Sequence, residues 1–291
     1  MTKIKPNKIK NLKSIIFTFA VCTLLLCSPA FAKARVARKV YRPHMRVAVS
    51  NSFLYDVASF IVKPEVYSVR NIGNAYPGGS DILVTMTSNH KRFASRNKSI
   101  TFFATNEGYN GEGCEYDYYD PAKIPFITLT VMKAISTNDK KNYPHYQKRL
   151  AIYQSILDST LQVWKKNLKH IAILDLTVHT GGILATGTER LVKPPKEVKE
   201  AWKNGDLAHL QATIEQANLR GLLVVTDFAT DPAITQNVER LAKKHFHMSR
   251  YEGGSFSSYL TDNYAKLKKS LEKQKETEKT NANKKTKTRK K

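Results

Sequence analysis

The chain has 291 residues, a formal net charge of +24 and 41% apolar residues, enough for one large domain or two modest ones with real cores. It carries three cysteines, two of them within the first 32 residues, which excludes an internal disulfide framework in the rest of the chain. The charge is uneven: five lysines and no acids in residues 1–32, and twelve basic against three acidic residues from Lys266 to the end.

The N-terminus reads as a targeting segment. "KIKPNKIKNLK" is a positive region, "SIIFTFAVCTLLLC" an apolar one, and "SPAFAKA" offers a small-residue cleavage site after Ala32. The apolar run is short for a membrane span and has no stop-transfer flank, so a signal peptide over 1–32 is expected, an uncleaved anchor being the alternative. Leu26 stands where lipid attachment at Cys27 normally needs a small residue. Cleavage leaves Cys114 as the lone thiol, a periplasmic location, and a basic segment over 33–45.

Residues 46–141 then alternate. "RVAVSN" reads as a strand, "FLYDVASFIV" as a helix, "EVYSVRNI" as a strand, "SNHKRFASRNK" as a helix and "SITFFAT" as a buried strand. Such alternation predicts α/β layering with a parallel sheet. "NEGYNGEGCEYDYYDP" comes next, a loop too polar for the core. Over 142–169 Tyr146, Leu150, Tyr153, Leu157, Leu161, Trp164 and Leu168 recur at three- and four-residue spacing, the stripe of one long amphipathic helix. Alternation resumes over 170–265. "HIAILDLTV" is a strand ending near His179, "LAHLQATIEQANLRG" a helix stopped by Gly221, and "LLVVTDF" a strand. Asp231-Pro232 opens another helix, and "SSYLTDNYAKLKKSLEK" is the last. The tail over 266–291 has no apolar residue after Leu271 and is expected to be disordered. Its surplus of nine positive charges suits anionic lipid headgroups or other envelope polyanions, while nucleic acid is not a partner that an exported chain meets.

This layout resembles the metal-binding solute-binding proteins of ABC importers, which capture zinc or manganese in the periplasm. The likeness rests on "NYPHYQKRLAIYQSILDSTL" as the linking helix, "LRGLLVVTDFATDPAITQNVERLAKKH" as a strand–loop–helix and "GGSFSSYLTDNYAKLKKSL" as the closing helix. It implies an α/β fold of two lobes joined by one long rigid helix, with a ligand cleft between them. It also implies an inner-membrane ABC permease as partner and a monomeric receptor.

The family's four metal ligands map unevenly. "TVHTGGILA" resembles its strand-end histidine, which makes His179 the first candidate and places Gly181 in the cleft. "RYEGGSFSSY" puts Glu252 near its late carboxylate. An Asp-Pro-His tripeptide corresponds to Asp81-Ile82-Leu83, where Leu83 has no lone pair; His90 reads as a helix-surface residue. A His-x-Trp-x-Asp-Pro motif corresponds to "YDYYDP", with Asp120 matching, Tyr118 in place of tryptophan and Tyr116 in place of histidine. A phenol near pKa ~10 is a poor zinc ligand. The cleft is therefore expected to be lined by Asp81, Leu83, Asp117, Tyr118, Asp120 and Gly181, and to hold a divalent ion weakly or not at all. Two alternatives stay open. The phenols and carboxylates of Tyr116, Asp117, Tyr118, Tyr119 and Asp120 suit ferric iron, and "YPGGSD" with "HTGG" offers backbone N–H groups to an organic anion.

Nothing points to an enzyme. No Ser/His/Asp or Cys/His set stands in a strand–turn–helix context, no phosphate loop is present, and His179 with Asp175 is not a dyad. The reading is an importer's solute-binding protein with two of four ligand positions lost; the other is a non-transport envelope interaction protein on a degenerate scaffold.

Overall fold

A computed structural model describes residues 45–73, 75, 78–86, 100–104 and 115–288, with side chains through Glu272. The first half builds one parallel sheet. Strand β1 (Met45–Val49) leads into helix α1 (Ser52–Ile61), and strands β2 (Tyr67–Asn71), β3 (Ile82–Thr85) and β4 (Ile100–Phe103) complete it in the order β2-β1-β3-β4. Asn51 starts α1 by accepting the Leu54 N–H at 2.9 Å, a side-chain N-cap. All four residues of β3 are buried, as a strand covered on both faces requires. This corrects the alignment of Asp81-Ile82-Leu83 with a metal-ligand tripeptide. Those residues open and form the strand, because "ILVT" is an apolar β-branched run. The segment after β3, with His90 and the helix expected over 88–98, lies outside the described residues, as does Cys114.

A short 3-10 turn (Asp117–Tyr119) precedes helix α2 (Ile124–Thr137). Local sequence carries no separate signal for α2, since its Ile, Thr and Val content suits a strand equally well. Its buried residues Ile124, Ile127, Val131, Met132 and Ile135 fall on one helical face. Helix α3 (Tyr143–Leu168) comes next, roughly 40 Å long at 1.5 Å per residue. Its buried residues are Tyr146, Leu150, Tyr153, Leu157, Leu161, Trp164 and Leu168, the stripe the spacing predicts. α3 grips both halves. Arg149 Nε donates to the carbonyl of Phe60 in α1 at 2.9 Å, and Trp164 Nε1 donates to the carbonyl of Leu260 at 3.2 Å.

The second half repeats the plan. It comprises β5 (Ile173–Asp175), α4 (Gly181–Gly187), β6 (Leu191–Val192), α5 (Lys196–Lys203), α6 (Leu207–Leu219), β7 (Leu223–Asp227), α7 (Pro232–Leu241), β8 (His245–Met248) and α8 (Phe256–Thr288). Its sheet runs β6-β5-β7-β8, all parallel, the order of the first sheet. One apolar core joins both sheets to α3, and a second, built around Trp202, Leu210 and Ile214, covers the other face of the second sheet.

The last helix departs from the disorder expected after Lys266. It continues to Thr288, with Leu267 buried and Leu271 packed on the core. Those leucines extend the apolar stripe by two turns, and Lys268 and Glu272 pair one turn apart at 3.9 Å. Among the described residues no helix is long and apolar enough to cross a membrane.

Candidate functional site

The carboxyl ends of β5 and β6 open onto a cavity of about 450 Å³, where open parallel sheets usually place ligands. The segment before α2 contributes Tyr116, Asp117, Asp120 and Lys123 to its wall. The second half contributes Asp175, Thr177 and His179, the glycine pair 181–182, and Lys193 and Lys199.

His179 is held there by its backbone. The buried carboxylate of Asp227, at the end of β7, accepts the N–H groups of Val178 at 3.1 Å, His179 at 2.8 Å and Thr180 at 3.1 Å. Ala229 N–H and the hydroxyls of Thr180 and Thr230 complete the shell. Burial pushes the Asp227 carboxyl up, but this convergence of donors outweighs it and holds the group below the usual carboxylate range. The strand therefore stops after Asp175, and its apolar continuation turns around Asp227 to carry His179 into the cavity. Burial also holds the His179 imidazole below its ordinary value, against the pull of Asp227 and Asp117.

The glycine pair is a packing requirement. A Cβ on Gly181 would stand 2.5 Å from Asp175 Oδ2, and one on Gly182 would stand 2.9 Å from the Cα of Asp120. Gly182 is thus where the second half closes on the segment before α2.

Tyr116 and His179 face each other with ring centroids 4.3 Å apart, and Phe228 lies behind both. The Tyr116 hydroxyl accepts from Arg250 at 3.1 Å. Tyr118 and Tyr119 do not line the cavity, which corrects both the cleft-lining expectation for Tyr118 and the view of this segment as too polar for the core. They are 4% and 0% exposed. Tyr118 stacks on Phe53 at 4.9 Å, and the Tyr119 hydroxyl accepts the Tyr251 N–H at 2.7 Å. A ring buries apolar area while one hydrogen bond satisfies its hydroxyl. Burial raises both phenols above their ordinary value.

The cavity is crowded with charge. Asp117 pairs with Lys123 at 2.9 Å, and Asp175 with Lys193 at 3.4 Å. Asp175 also accepts the N–H and hydroxyl of Thr177 at 2.9 and 2.6 Å, so it holds the turn rather than the imidazole. Lys199 donates to the Thr177 carbonyl at 3.0 Å, and burial lowers its pKa. Sequence reasoning misses Lys123, Lys193 and Lys199, because lysines at such density read as a solvated face.

Of the expected site residues, the structure brings together His179, Tyr116, Asp117, Asp120 and Gly181. Glu252 is exposed and outside the cavity wall, its carbonyl accepting from Ser52. Asp81 and Leu83 do not line it either. Asp81 precedes β3 at its amino end, where its carboxylate accepts the Arg46 N–H at 2.7 Å, and Leu83 is fully buried in the strand. Among the described residues no group of three or more His, Cys, Asp or Glu is placed to hold a metal ion.

Comparisons with solved structures decide the fold. Zinc-bound AdcA from Streptococcus pneumoniae matches 78% of this chain at a TM-score of 0.53 and 12% identity; the match spans 57% of AdcA, just over half its length. The laminin-binding protein Lbp of Streptococcus pyogenes matches over 79% of this chain and 100% of its own, at 0.55 and 14%. The solute-binding protein FpvC from Pseudomonas aeruginosa, in complex with Mn2+, matches over 77% and 95%, at 0.52 and 13%. The fold is that of the solute-binding proteins. No family model and no curated protein matches the sequence.

Proposed function

We propose that this chain is the extracytoplasmic solute-binding component of an ABC importer, built on the scaffold of the metal receptors but with their ligand shell incomplete. The observation that carries this reading is architectural. Two parallel sheets of the same strand order are bridged by α3, and the cavity is walled by the segment before α2 on one side and by the second half on the other. Such a pair of lobes suits capture of a small solute by closure about a fixed link. Similarity to structures described as zinc-bound and manganese-bound supports the transport class.

For metal cargo, His179 supplies one imidazole, with Tyr116 and Asp120 nearby and three lysines around the same cavity. A tight zinc shell needs three or four N, S or O ligands. Ammonium groups among them repel a divalent ion, so this donor set fits such an ion poorly. The leader over 1–32 and the basic tail are consistent with an exported receptor held near anionic lipid. The tail is also the feature that favours the second reading, an envelope interaction protein with no cargo.

The test is to purify the chain from its native envelope fraction without chelator, denature it, and identify released metals and small molecules by mass spectrometry. A species released near one per chain supports capture. A folded chain that releases nothing, yet loses envelope binding when residues after Lys266 are removed, overturns it in favour of the second reading. If the species is a metal, His179→Ala abolishes its retention.

A further inference from the structure

The ionic groups of the cavity do not all pair with one another. Lys123 is matched by Asp117 and Lys193 by Asp175. Lys199 instead spends its ammonium on the Thr177 carbonyl. The Asp120 carboxylate, on the opposite wall, accepts only the Ala122 N–H at 3.0 Å among the described residues. Asp117 Oδ1 faces Lys123, while Oδ2 is buried with no hydrogen-bond partner, on a side chain 10% exposed. Buried acceptors in native proteins almost always have a donor. Asp117 Oδ2 is closed off from solvent, so the acceptor that this wall offers to the cavity is the Asp120 carboxylate.

The walls are polar in opposite senses. Asp117 and Asp120 stand on the segment before α2. Lys193 and Lys199 stand across the cavity, before and on α5, and Tyr116 of the first wall meets His179 of the second in a tilted ring contact. A dication meets the lysines, a dianion meets the aspartates, and a bare metal ion finds one imidazole in a space suited to an organic molecule. We propose that the cavity binds a small zwitterion of the α-amino-acid class, with its ammonium group donating to Asp120. Its carboxylate is received by Lys199 and Lys193, and its side chain lies against Tyr116 and His179. This rests on the solute-capture reading above and names the cargo of that site.

The experiment is a set of thermal melts, followed by calorimetric titration, of the mature chain (residues 33–291) against the twenty common amino acids. Succinate, putrescine and zinc serve as dianion, dication and metal controls. The expected result is an amino acid that raises the melting temperature and titrates at one per chain, with the controls inert. Lys199→Met and Asp120→Asn each weaken that binding at least tenfold while the unliganded melt stays within a few degrees of wild type. Asp120 is partly exposed, so its variant keeps the test open if Lys199→Met misfolds. Binding of succinate, putrescine or zinc alone overturns the zwitterion and leaves solute capture standing. Amino-acid binding untouched by both substitutions overturns the site. No binding in any class, together with no species released from the native protein, overturns both readings.

Discussion

Replacing Asp227 by asparagine tests how the cavity is held in shape. Oδ2 accepts from the N–H groups of Val178, His179 and Thr180 and from the Thr180 hydroxyl, and Oδ1 accepts from Ala229 N–H and the Thr230 hydroxyl. The substitution keeps the size but turns one oxygen into an NH2 group, so two or more of these donors lose their acceptor. At about 1–3 kcal/mol for each buried donor left unsatisfied, the loss is about 2–5 kcal/mol. For a domain of this size that lowers Tm by roughly 5–15 °C, measured by thermal and urea unfolding at pH 7. The sign with pH comes from the lowered carboxyl value. The stabilisation is present above the unfolded carboxyl value of ~3.9 and is lost as pH falls through the lower folded value. The gap between wild type and Asp227→Asn therefore closes on strong acidification. A loss below about 1 kcal/mol at pH 7, or a gap that widens in acid, refutes the view that this carboxylate holds the His179 turn.

Gly182→Ala pushes a Cβ to 2.9 Å from the Asp120 Cα and 3.0 Å from the Tyr119 carbonyl; a loss of about 1–3 kcal/mol in urea unfolding is expected from overpacking, and a neutral result means that contact yields easily. Tyr119→Phe leaves the buried Tyr251 N–H without its acceptor and costs about 1–3 kcal/mol by the same assay. Asp56 accepts from Tyr153 and from the Phe256 N–H, yet burial outweighs both and raises its carboxyl. A raised folded value gives stability that is full below the unfolded value of ~3.9 and lost as pH rises through the folded one. Asp56→Asn, which keeps an acceptor oxygen, should therefore gain on wild type in melts as pH rises above about 4; a variant that falls further behind as pH rises contradicts this.

The periodic parts of the fold are legible in the sequence. The stripe from Tyr146 to Leu168 makes α3 visible because a helix long enough to pack on both lobes must repeat its apolar face for its whole length. Asp231-Pro232 marks the start of α7, and Gly221, at φ +67°, the end of α6, because caps act over a few bonds. His179 can be found because a strand end followed by two glycines is a local pattern. β3 goes unread because four apolar residues have too few periods to register. The tail passes for disorder because its order depends on Leu267 and Leu271 reaching a core built far upstream.

Only the tertiary structure decided what the cavity contains. Asp227 lies 48 residues from His179 in the chain, so the four donors it takes from Val178, His179 and Thr180 are invisible to any local window. Tyr118 and Tyr119 look polar until Phe53, Tyr251 and Phe256 close around them. Lys123, Lys193 and Lys199 look like solvated charge until the fold sets them around one space with Asp117, Asp120 and Asp175. Sequence encodes backbone preference residue by residue, which is why the elements can be read. A binding site is a sum of charges and shapes brought together by folding, and its balance exists only once the distances do.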